Sequence, residues 1–313
     1  MKVISIASQI ISKYLPIWIL LLSFVAYFFP AIFTPIRSLT GVGLGMIFLL
    51  MGLSLSTEKL VSVIKNPKHA LLGVLLKWTI MVSVTVGVAY IFFNDNAELA
   101  TGVILAGTVP SGTSANIYTF IAGGEAALSI TMATMDTIIS PILTPALVQV
   151  FAGKLIPIAF WPLFLNIIYI VFFPLFIGLI LQWKFTKRIE AVKPYTAVLS
   201  QIALFIVVLS VISTAQSSLQ ANLSSLPIIF IAVFFQVSVP MFVGYWIAKW
   251  WKVPEQNARA ILFHTGICNT ALAATLAMEH VSSLAAVPAV ANMVVNLTIG
   301  AIVANYFASK KAI

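Results

Sequence analysis

The chain has 313 residues, of which 61% are hydrophobic and only 8% are charged. An average soluble domain is about 25% charged, so the composition excludes a soluble globular protein. The net charge of +9 does not by itself indicate nucleic-acid binding, because the position of each lysine and arginine relative to a membrane decides its meaning. A single cysteine, Cys268, excludes an internal disulfide. We therefore predict a polytopic membrane protein that contacts the lipid bilayer and no nucleic acid.

In chain order, the hydrophobic pattern predicts ten segments long enough to span a bilayer, each bounded by proline, glycine or charged residues. They are residues 14–33, 39–57, 70–93, 98–121, 126–150, 157–182, 196–215, 226–248, 257–278 and 282–307. The first segment has no small-residue cleavage site, which favours a retained span over a signal peptide. The fold class is thus an all-α membrane protein with ten transmembrane helices.

The basic residues predict the orientation of these spans. With the N-terminus in the cytoplasm, every lysine and arginine lies on the cytoplasmic side except Arg37, Lys154 and Lys77. Arg37 and Lys154 fall outside, and Lys77 lies within the third span. This bias predicts a multi-pass protein of the plasma membrane, a bacterial inner membrane, with both termini cytoplasmic.

Ten spans divide into two repeats of five, residues 1–155 and 156–313, and an odd number per repeat inverts the second one. Inverted repeats are typical of secondary transporters, in which two discontinuous helices meet near the membrane midplane. The fourth and ninth spans match in this respect. Each is interrupted, by "GTVPSGTSANIYTF" at residues 107–120 and by "FHTGICNTALAAT" at residues 263–275. Because the repeats are weakly similar in sequence, the prediction rests mostly on this pattern.

The two interruptions are candidate substrate sites, because the N-termini of half-helices attract anionic groups. The first contains Pro110 and a run of residues suited to breaking and capping a helix: Ser111, Gly112, Thr113, Ser114 and Asn116. The second contains Gly266, Asn269 and Thr270. Close helix packing by small residues is the alternative for either segment alone. Two such segments in matching positions favour a site for a small organic anion.

Three stretches resemble the bile acid:sodium symporter family, bacterial ten-span branch, and the resemblance covers nearly the whole chain. They are "SGTSANIYTFIAGGEAALS" (111–129), "SPILTPAL" (140–147) and "NTALAATLA" (269–277). The resemblance implies a panel of spans 1, 2, 6 and 7, a core of spans 3–5 and 8–10, and substrate at the crossing of spans four and nine. It also implies alternating access, substrates such as pantoate-like acids or bile acids, and a place for Asn296 near the substrate.

The sequence departs from this family at the sodium sites. The family pattern Glu-x-Gly-x-Gln-Asn in the ninth span is matched by a stretch with His264 and Cys268 in place of the glutamate and glutamine. Lys77 replaces a neutral polar residue of the third span. Of the first sodium site, Asn116 and Ser129 remain. The resemblance therefore implies that the second sodium site is abolished and the first weakened, so that sodium is doubtful and no cofactor is expected.

Lys77, Asp136 and His264 are ionisable residues within predicted spans, and such residues are costly enough to suggest a function. We favour a pair in which the Lys77 ammonium substitutes for a sodium ion and Asp136 compensates its charge. Asp136 could instead rebuild the first sodium site. Snorkelling to the interface would explain Lys77, and a polar contact between helices would explain Asp136. His264 is either a satisfied bundle histidine or a proton site.

The sequence thus predicts a secondary transporter for a pantoate-like hydroxy or keto acid, with a bile acid second, in which sodium dependence is weak or lost. The alternatives are a sodium-coupled symporter rebuilt around Asp136 and a non-transporting sensor of the same fold. An intramembrane enzyme would need His264 and Cys268 as a thiol–imidazole pair or as metal ligands. A helix break lies between them and no second ligand pair is evident, so we do not expect an enzyme. A channel fits poorly, because two unlike breaks do not form rings of charge.

Overall fold

The computed structural model describes residues 14–54 and 67–310, and the secondary structure within these ranges is helical apart from short turns and one isolated β-bridge. The helices are α1 (Leu15–Phe28), α2 (Thr40–Ser54), α3 (Lys68–Phe93), α4 (Ala97–Gly107), α5 (Thr113–Ile121), α6 (Ala126–Phe151), α7 (Phe160–Lys184), α8 (Thr186–Ala221), α9 (Leu226–Trp250), α10 (Glu255–Gly266), α11 (Thr270–His280) and α12 (Ser283–Ser309). Residues 55–57 of the second predicted span and the basic residues Lys2, Lys13, Lys59, Lys65 and Lys311 lie outside the described residues.

Seven of the described helical segments are long and apolar enough to cross a membrane. They are Pro30–Ser54, Lys68–Phe93, Ala126–Phe151, Phe160–Lys184, Tyr195–Ala221, Leu223–Trp250 and Ser283–Ser309. The first, fourth and ninth predicted spans are not among them, because α1 has 14 residues and each of the other two is divided into two shorter helices. The chain is therefore an all-helical, multi-pass membrane protein.

The first boundary between predicted spans is wrong. Residues 34–38 were expected to form the break, but Thr34–Leu39 is a 3₁₀-helix that leads directly into α2. The chain instead leaves helical geometry at Phe29, with φ −124° and ψ 53°, immediately before Pro30. A proline disfavours the α conformation in the residue before it, which moves the break toward the N-terminus.

The cytoplasmic loop predicted between the sixth and seventh spans is mostly helix. α7 ends at Lys184 and α8 begins at Thr186, so Phe185 alone departs from helical geometry, with φ −123° and ψ 35°. The segment that follows contains lysine, arginine and glutamate, which have high helix propensity despite their charge. Their charge suggested a loop, whereas their propensity extends α8 to 36 residues.

The helices pack in two groups. α1, α2, α7 and α8 pack against one another, and we call them the panel helices. α3–α6 and α9–α12 pack together as the core helices. The two groups meet where α8 contacts α11 and α12, where α6 contacts α7, and where α1 and α2 contact α12 and α11.

A buried amide network holds the core helices together. Gln236 of α9 donates from Nε2 to Thr85 Oγ1 in α3 (3.1 Å) and to the Val103 carbonyl in α4 (2.8 Å). Asn292 of α12 donates from Nδ2 to Gln236 Oε1 (2.8 Å). Hydrogen bonds of this kind are strengthened in a low-dielectric interior, so four core helices share one rigid connection behind the broken helices.

Candidate functional site

The fourth and ninth predicted spans meet at their breaks, a place that we call the crossing. The first break lies between α4 and α5, and the second lies between α10 and α11. An antiparallel β-bridge joins Ser111 to Cys268. The Gly112 N–H donates to the Ile267 carbonyl (3.0 Å), and the Asn269 N–H donates to the Pro110 carbonyl (2.8 Å). Each break therefore supplies hydrogen-bond partners for backbone groups that the other break leaves without a helical partner.

Side chains satisfy further backbone groups of the breaks, as an apolar surrounding requires. The donors and acceptors come from core helices: Lys77 Nζ donates to the Val109 carbonyl (3.0 Å), Thr144 Oγ1 to the Thr108 carbonyl (2.6 Å), Asn296 Nδ2 to the Cys268 carbonyl (3.2 Å), and the Ser111 N–H donates to Asp136 Oδ2 (3.1 Å). The crossing is thus held by hydrogen bonds from α3, α6 and α12.

Each break starts a new helix in a different way. Asn269 caps α11 because its Oδ1 accepts from the Leu272 N–H (3.2 Å). Gly112 is the N-cap of α5 and offers no side chain. A Cβ at position 112 would stand 2.8 Å from the Cys268 carbonyl oxygen, so the close approach of the two chains requires glycine. Helix N-termini carry unsatisfied N–H groups and partial positive charge.

A cavity of about 400 Å³ lies between the crossing and the panel helices. Its polar wall comes from the two breaks and α12: Gly112, Thr113, Ser114, Asn116, Cys268, Asn269, Thr270 and Asn296. Its opposite wall comes from α2 and α8 and combines apolar with neutral polar side chains: Ile47, Leu50, Met51, Leu204, Ser54, Thr196, Ser200 and Gln201. A cavity with a polar wall that faces a partly apolar one suits an anion that carries an apolar body.

Two predicted substrate residues do not line this cavity. Ser111 contributes its backbone N–H to Asp136, and its Oγ has no hydrogen-bond partner among the described residues. Gly266 faces α9, where a Cβ would stand 2.6 Å from Met241 Cβ and 2.9 Å from the Val237 carbonyl oxygen. The structure therefore gives Ser111 a role in orienting the break and Gly266 a role in helix packing.

The predicted intramembrane charges form one buried cluster behind the crossing. Lys77, Asp136 and His264 are each 0% exposed. The Lys77 ammonium donates to the Val109 carbonyl (3.0 Å) and to Cys268 Sγ (3.2 Å), so snorkelling is excluded. Lys77 also begins a five-residue π-helical turn within α3, and such turns occur frequently at functional sites.

Asp136 connects the cluster to the first break. Its Oδ1 accepts from Trp78 Nε1 (2.8 Å), and its Oδ2 accepts from the Ser111 N–H (3.1 Å). His264 Nε2 lies 3.3 Å from Asp136 Oδ2 but lacks hydrogen-bond alignment, and neither ring nitrogen has a hydrogen bond among the described residues. The contact becomes an ion pair when the imidazole is protonated.

The predicted direct pair between Lys77 and Asp136 is not formed. Among the described residues, the group that lies within 4 Å of the Asp136 carboxylate and can carry positive charge is His264. The ammonium instead reaches Val109, because the break frees that carbonyl from its helical partner. Lys77 and Asp136 therefore act on neighbouring backbone groups of the same break.

The residual sodium-site candidates are in contact with each other. Ser129 Oγ donates to Asn116 Oδ1 (2.7 Å), and Thr119 Oγ1 donates to Ser129 Oγ (3.2 Å). The described residues hold no group of three or more histidine, cysteine or acidic side chains suited to a metal. Asp136 accepts its hydrogen bonds from Trp78 and Ser111, and not from Asn116, Thr119 or Ser129.

Sequence reasoning missed Trp78 and the panel side of the cavity. Trp78 follows Lys77 directly, and aromatic residues in spans are normally assigned to lipid or interface contacts. Thr196 and Ser200 are polar residues four apart on one face of the seventh predicted span, and the adjacent Gln201 also lines the cavity. The spacing of Thr196 and Ser200 in an apolar helix was the signal that could have revealed this wall.

Comparisons with known proteins place the sequence among transporters. The model of the family described as "Sodium Bile acid symporter family" matches residues 41–222. The uncharacterized sodium-dependent transporter YocS of Bacillus subtilis is 32% identical over 311 residues, which are 99% of this chain and 95% of that protein. The probable sodium/metabolite cotransporter BASS2 of Oryza sativa is 28% identical, with 91% of this chain and 68% of that protein covered.

These relatives are transporters by name, and the chain is accordingly not an enzyme. The family match extends over more than half of the chain, and the similarity to YocS extends over nearly all of it. The chain belongs to the sodium bile acid symporter family.

Proposed function

We propose that the protein is a secondary transporter of a small organic anion, of the class of pantoate-like hydroxy and keto acids, and that it works by alternating access. The observation that carries the proposal is the buried Lys77 ammonium, which contacts both breaks beside the cavity through Val109 and Cys268. In this proposal the chain is two inverted five-helix repeats, residues 1–155 and 156–313, with both termini cytoplasmic.

The substrate carboxylate binds between the first turns of α5 and α11. Both helices begin at the cavity, at Thr113 and Thr270, and their N-termini favour negative charge. Asn116 and Asn296 supply polar groups at the same wall. The body of the substrate lies against the apolar side chains of α2 and α8.

Lys77 takes the place of the second sodium ion in this proposal. A sodium ion would coordinate carbonyl oxygens freed by the breaks, and the ammonium already donates to one of them. Asp136 compensates the charge, since an uncompensated buried charge strongly destabilises a protein. With His264 neutral, the charges of Lys77 and Asp136 cancel within the cluster.

His264 gives the cluster a proton-binding group. Protonation adds one positive charge 3.3 Å from the Asp136 carboxylate, which also accepts the Ser111 N–H of the first break. Histidine titrates within the physiological range when unperturbed. A proton at His264 would therefore act on the backbone that shapes the substrate site, and proton symport is the coupling we propose.

Sodium coupling is the second candidate, and two observations favour it. YocS is named as sodium-dependent, and the oxygens of Asn116, Thr119 and Ser129 lie together beside the cavity. Oxygen ligands of this type suit a hard cation. A non-transporting sensor with the same fold is a third alternative, and a flux measurement distinguishes it from a transporter.

The test is uptake of labelled pantoate into proteoliposomes, with sodium or choline outside and at two pH values. We expect uptake to persist in choline and to increase when the outside is more acidic. Uptake that requires sodium at both pH values would instead assign coupling to Asn116 and Ser129. Saturable binding of pantoate without flux would identify a sensor.

A further inference from the structure

Polar contacts are unevenly distributed between the panel and core helices. Side-chain hydrogen bonds join panel to panel, as between Thr40 and Ser210 (2.5 Å), or core to core, as between Tyr118 and the Leu297 carbonyl (2.8 Å). Between described residues, apart from the contacts of Tyr14, Thr196 and Gln201, one side-chain hydrogen bond joins the two groups. Among the described residues, apolar side chains such as Leu50 and Leu204 face the core helices from the panel.

That hydrogen bond joins Asn166 to Glu279. Asn166 Nδ2 in the panel helix α7 donates to Glu279 Oε2 at 2.6 Å, near the end of the core helix α11. The other carboxylate oxygen faces a second panel helix, since a Cβ built on Gly41 of α2 would stand 3.9 Å from Glu279 Oε1. The exposed carboxylate of one core half-helix thus lies beside two panel helices.

The contact lies toward the opposite end of the bundle from Ser54, which lines the cavity. The cavity is lined by Ser54 at the end of α2, whereas Gly41 is near its start, about 20 Å away at 1.5 Å per residue. Along α11, the cavity is lined by Thr270 at the start, whereas Glu279 is next to the end. The same half-helix therefore presents its N-terminus to the cavity and its C-terminus to the panel.

We propose that the Asn166–Glu279 hydrogen bond is a latch that closes this end of the substrate route and must break before the route opens there. The inference rests on the proposed function, in which the core moves against the panel. Apolar packing can shift without breaking a directional contact, whereas separating Asn166 from Glu279 loses a hydrogen bond to a charged carboxylate. With the orientation predicted from the basic residues, the latch faces the outside.

A cysteine reporter in the cavity tests the latch in the full-length protein. Cys268→Ser removes the single cysteine, and Ser200→Cys places a thiol on the panel wall of the cavity. A membrane-impermeant maleimide is applied to the Glu279 side or to the opposite side of oriented vesicles. The labelling rate from each side measures how often the cavity is open to that side.

Two substitutions at Asn166 should change this rate in opposite directions. Asn166→Leu removes the donor, and we expect labelling from the Glu279 side to rise about three- to tenfold, the range for a partly exposed bond to a carboxylate. Asn166→Lys creates a charged donor and should lower labelling from that side. The control is Gln220→Leu, which removes an exposed hydrogen bond between Gln216 and Gln220 within α8 at the same end.

The outcomes separate the latch from the proposed function. If the reporter is labelled from both sides but the Asn166 variants match Gln220→Leu, the latch is overturned and alternating access stands. If the reporter is labelled from one side only, with and without pantoate, and in all variants, both are overturned. If the Asn166 variants shift labelling in opposite directions but the unmodified protein takes up no pantoate, the latch stands and the proposed substrate is wrong.

Discussion

The two helix breaks at the crossing are held by different chemistry. At the first break, the neutral Thr144 hydroxyl is joined by two charged side chains that bind the backbone: Lys77 binds the Val109 carbonyl and Asp136 the Ser111 N–H. At the second break, neutral amides bind it: Asn269 caps its own helix, and Asn296 donates to the Cys268 carbonyl. A contact that depends on charge changes strength when a proton or cation binds nearby, whereas an amide contact does not. We therefore expect coupling to act through the first break and substrate placement to depend on the second.

Lys77→Gln should produce the largest effect, because it removes the charge from the first break. Asp136 is then left as a buried carboxylate without a permanent compensating cation, a change that costs about 3–5 kcal/mol of unfolding free energy. Sodium should restore part of this loss by occupying the vacated position. The measurement is thermal unfolding of the purified protein in sodium chloride and in choline chloride.

Lys154→Gln is the matched control, because Lys154 is exposed in the turn after α6. It should change neither the midpoint nor its response to sodium. If sodium stabilises the unmodified protein as much as it stabilises Lys77→Gln, Lys77 does not replace a sodium ion.

Asp136→Asn tests whether the two charges compensate each other without direct contact. The substitution leaves the Lys77 ammonium alone, and we expect a loss of about 3 kcal/mol. Combined with Lys77→Gln, it should cost less than the sum of the single changes, with a coupling of about 1–3 kcal/mol. Asp95→Asn, in an exposed turn, provides the control. Additive losses in the double variant would show that the charges act independently.

Gly112→Ala tests the contact between the two breaks. The added methyl group would stand 2.8 Å from the Cys268 carbonyl oxygen, so the backbones must separate at a cost of about 1–3 kcal/mol. We expect uptake to fall together with stability, because the same backbone forms the polar wall. Gly87→Ala in α3 is the control, since a Cβ there meets no atom within 4 Å. It should be neutral or slightly stabilising; equal losses in both variants would argue against a requirement for close approach.

The broken helices and the buried cluster could be predicted from sequence because their signals are local. Proline, glycine and capping residues mark the breaks, and an ionisable residue in an apolar span is conspicuous on its own. The structure places Lys77, Asp136 and His264 in one buried cluster. The partners within it could not be predicted, because the Val109 carbonyl becomes an acceptor only after the break frees it.

The panel wall and two boundaries were not predicted, for different physical reasons. Thr196 and Ser200 become cavity residues only when α8 packs across from the crossing, a contact between distant parts of the chain. The boundary at Phe29 depends on Pro30, whose effect on the preceding residue competed with a more obvious charged segment. The extension of α8 reflects helix propensity prevailing over charge.

Asn269→Ala should have the smallest effect on stability and the most specific effect on transport. It removes the cap of α11, which costs about 0.5–2 kcal/mol. Asn96→Ala is a matched control, because Asn96 caps α4 in the same way through the Leu99 N–H (3.0 Å) but does not line the cavity. Both variants should lose similar stability, whereas Asn269→Ala alone should raise the KM for pantoate. A similar KM in both variants would mean that Asn269 positions the helix and not the substrate. The two breaks would then differ only in the charge of the side chains that bind them.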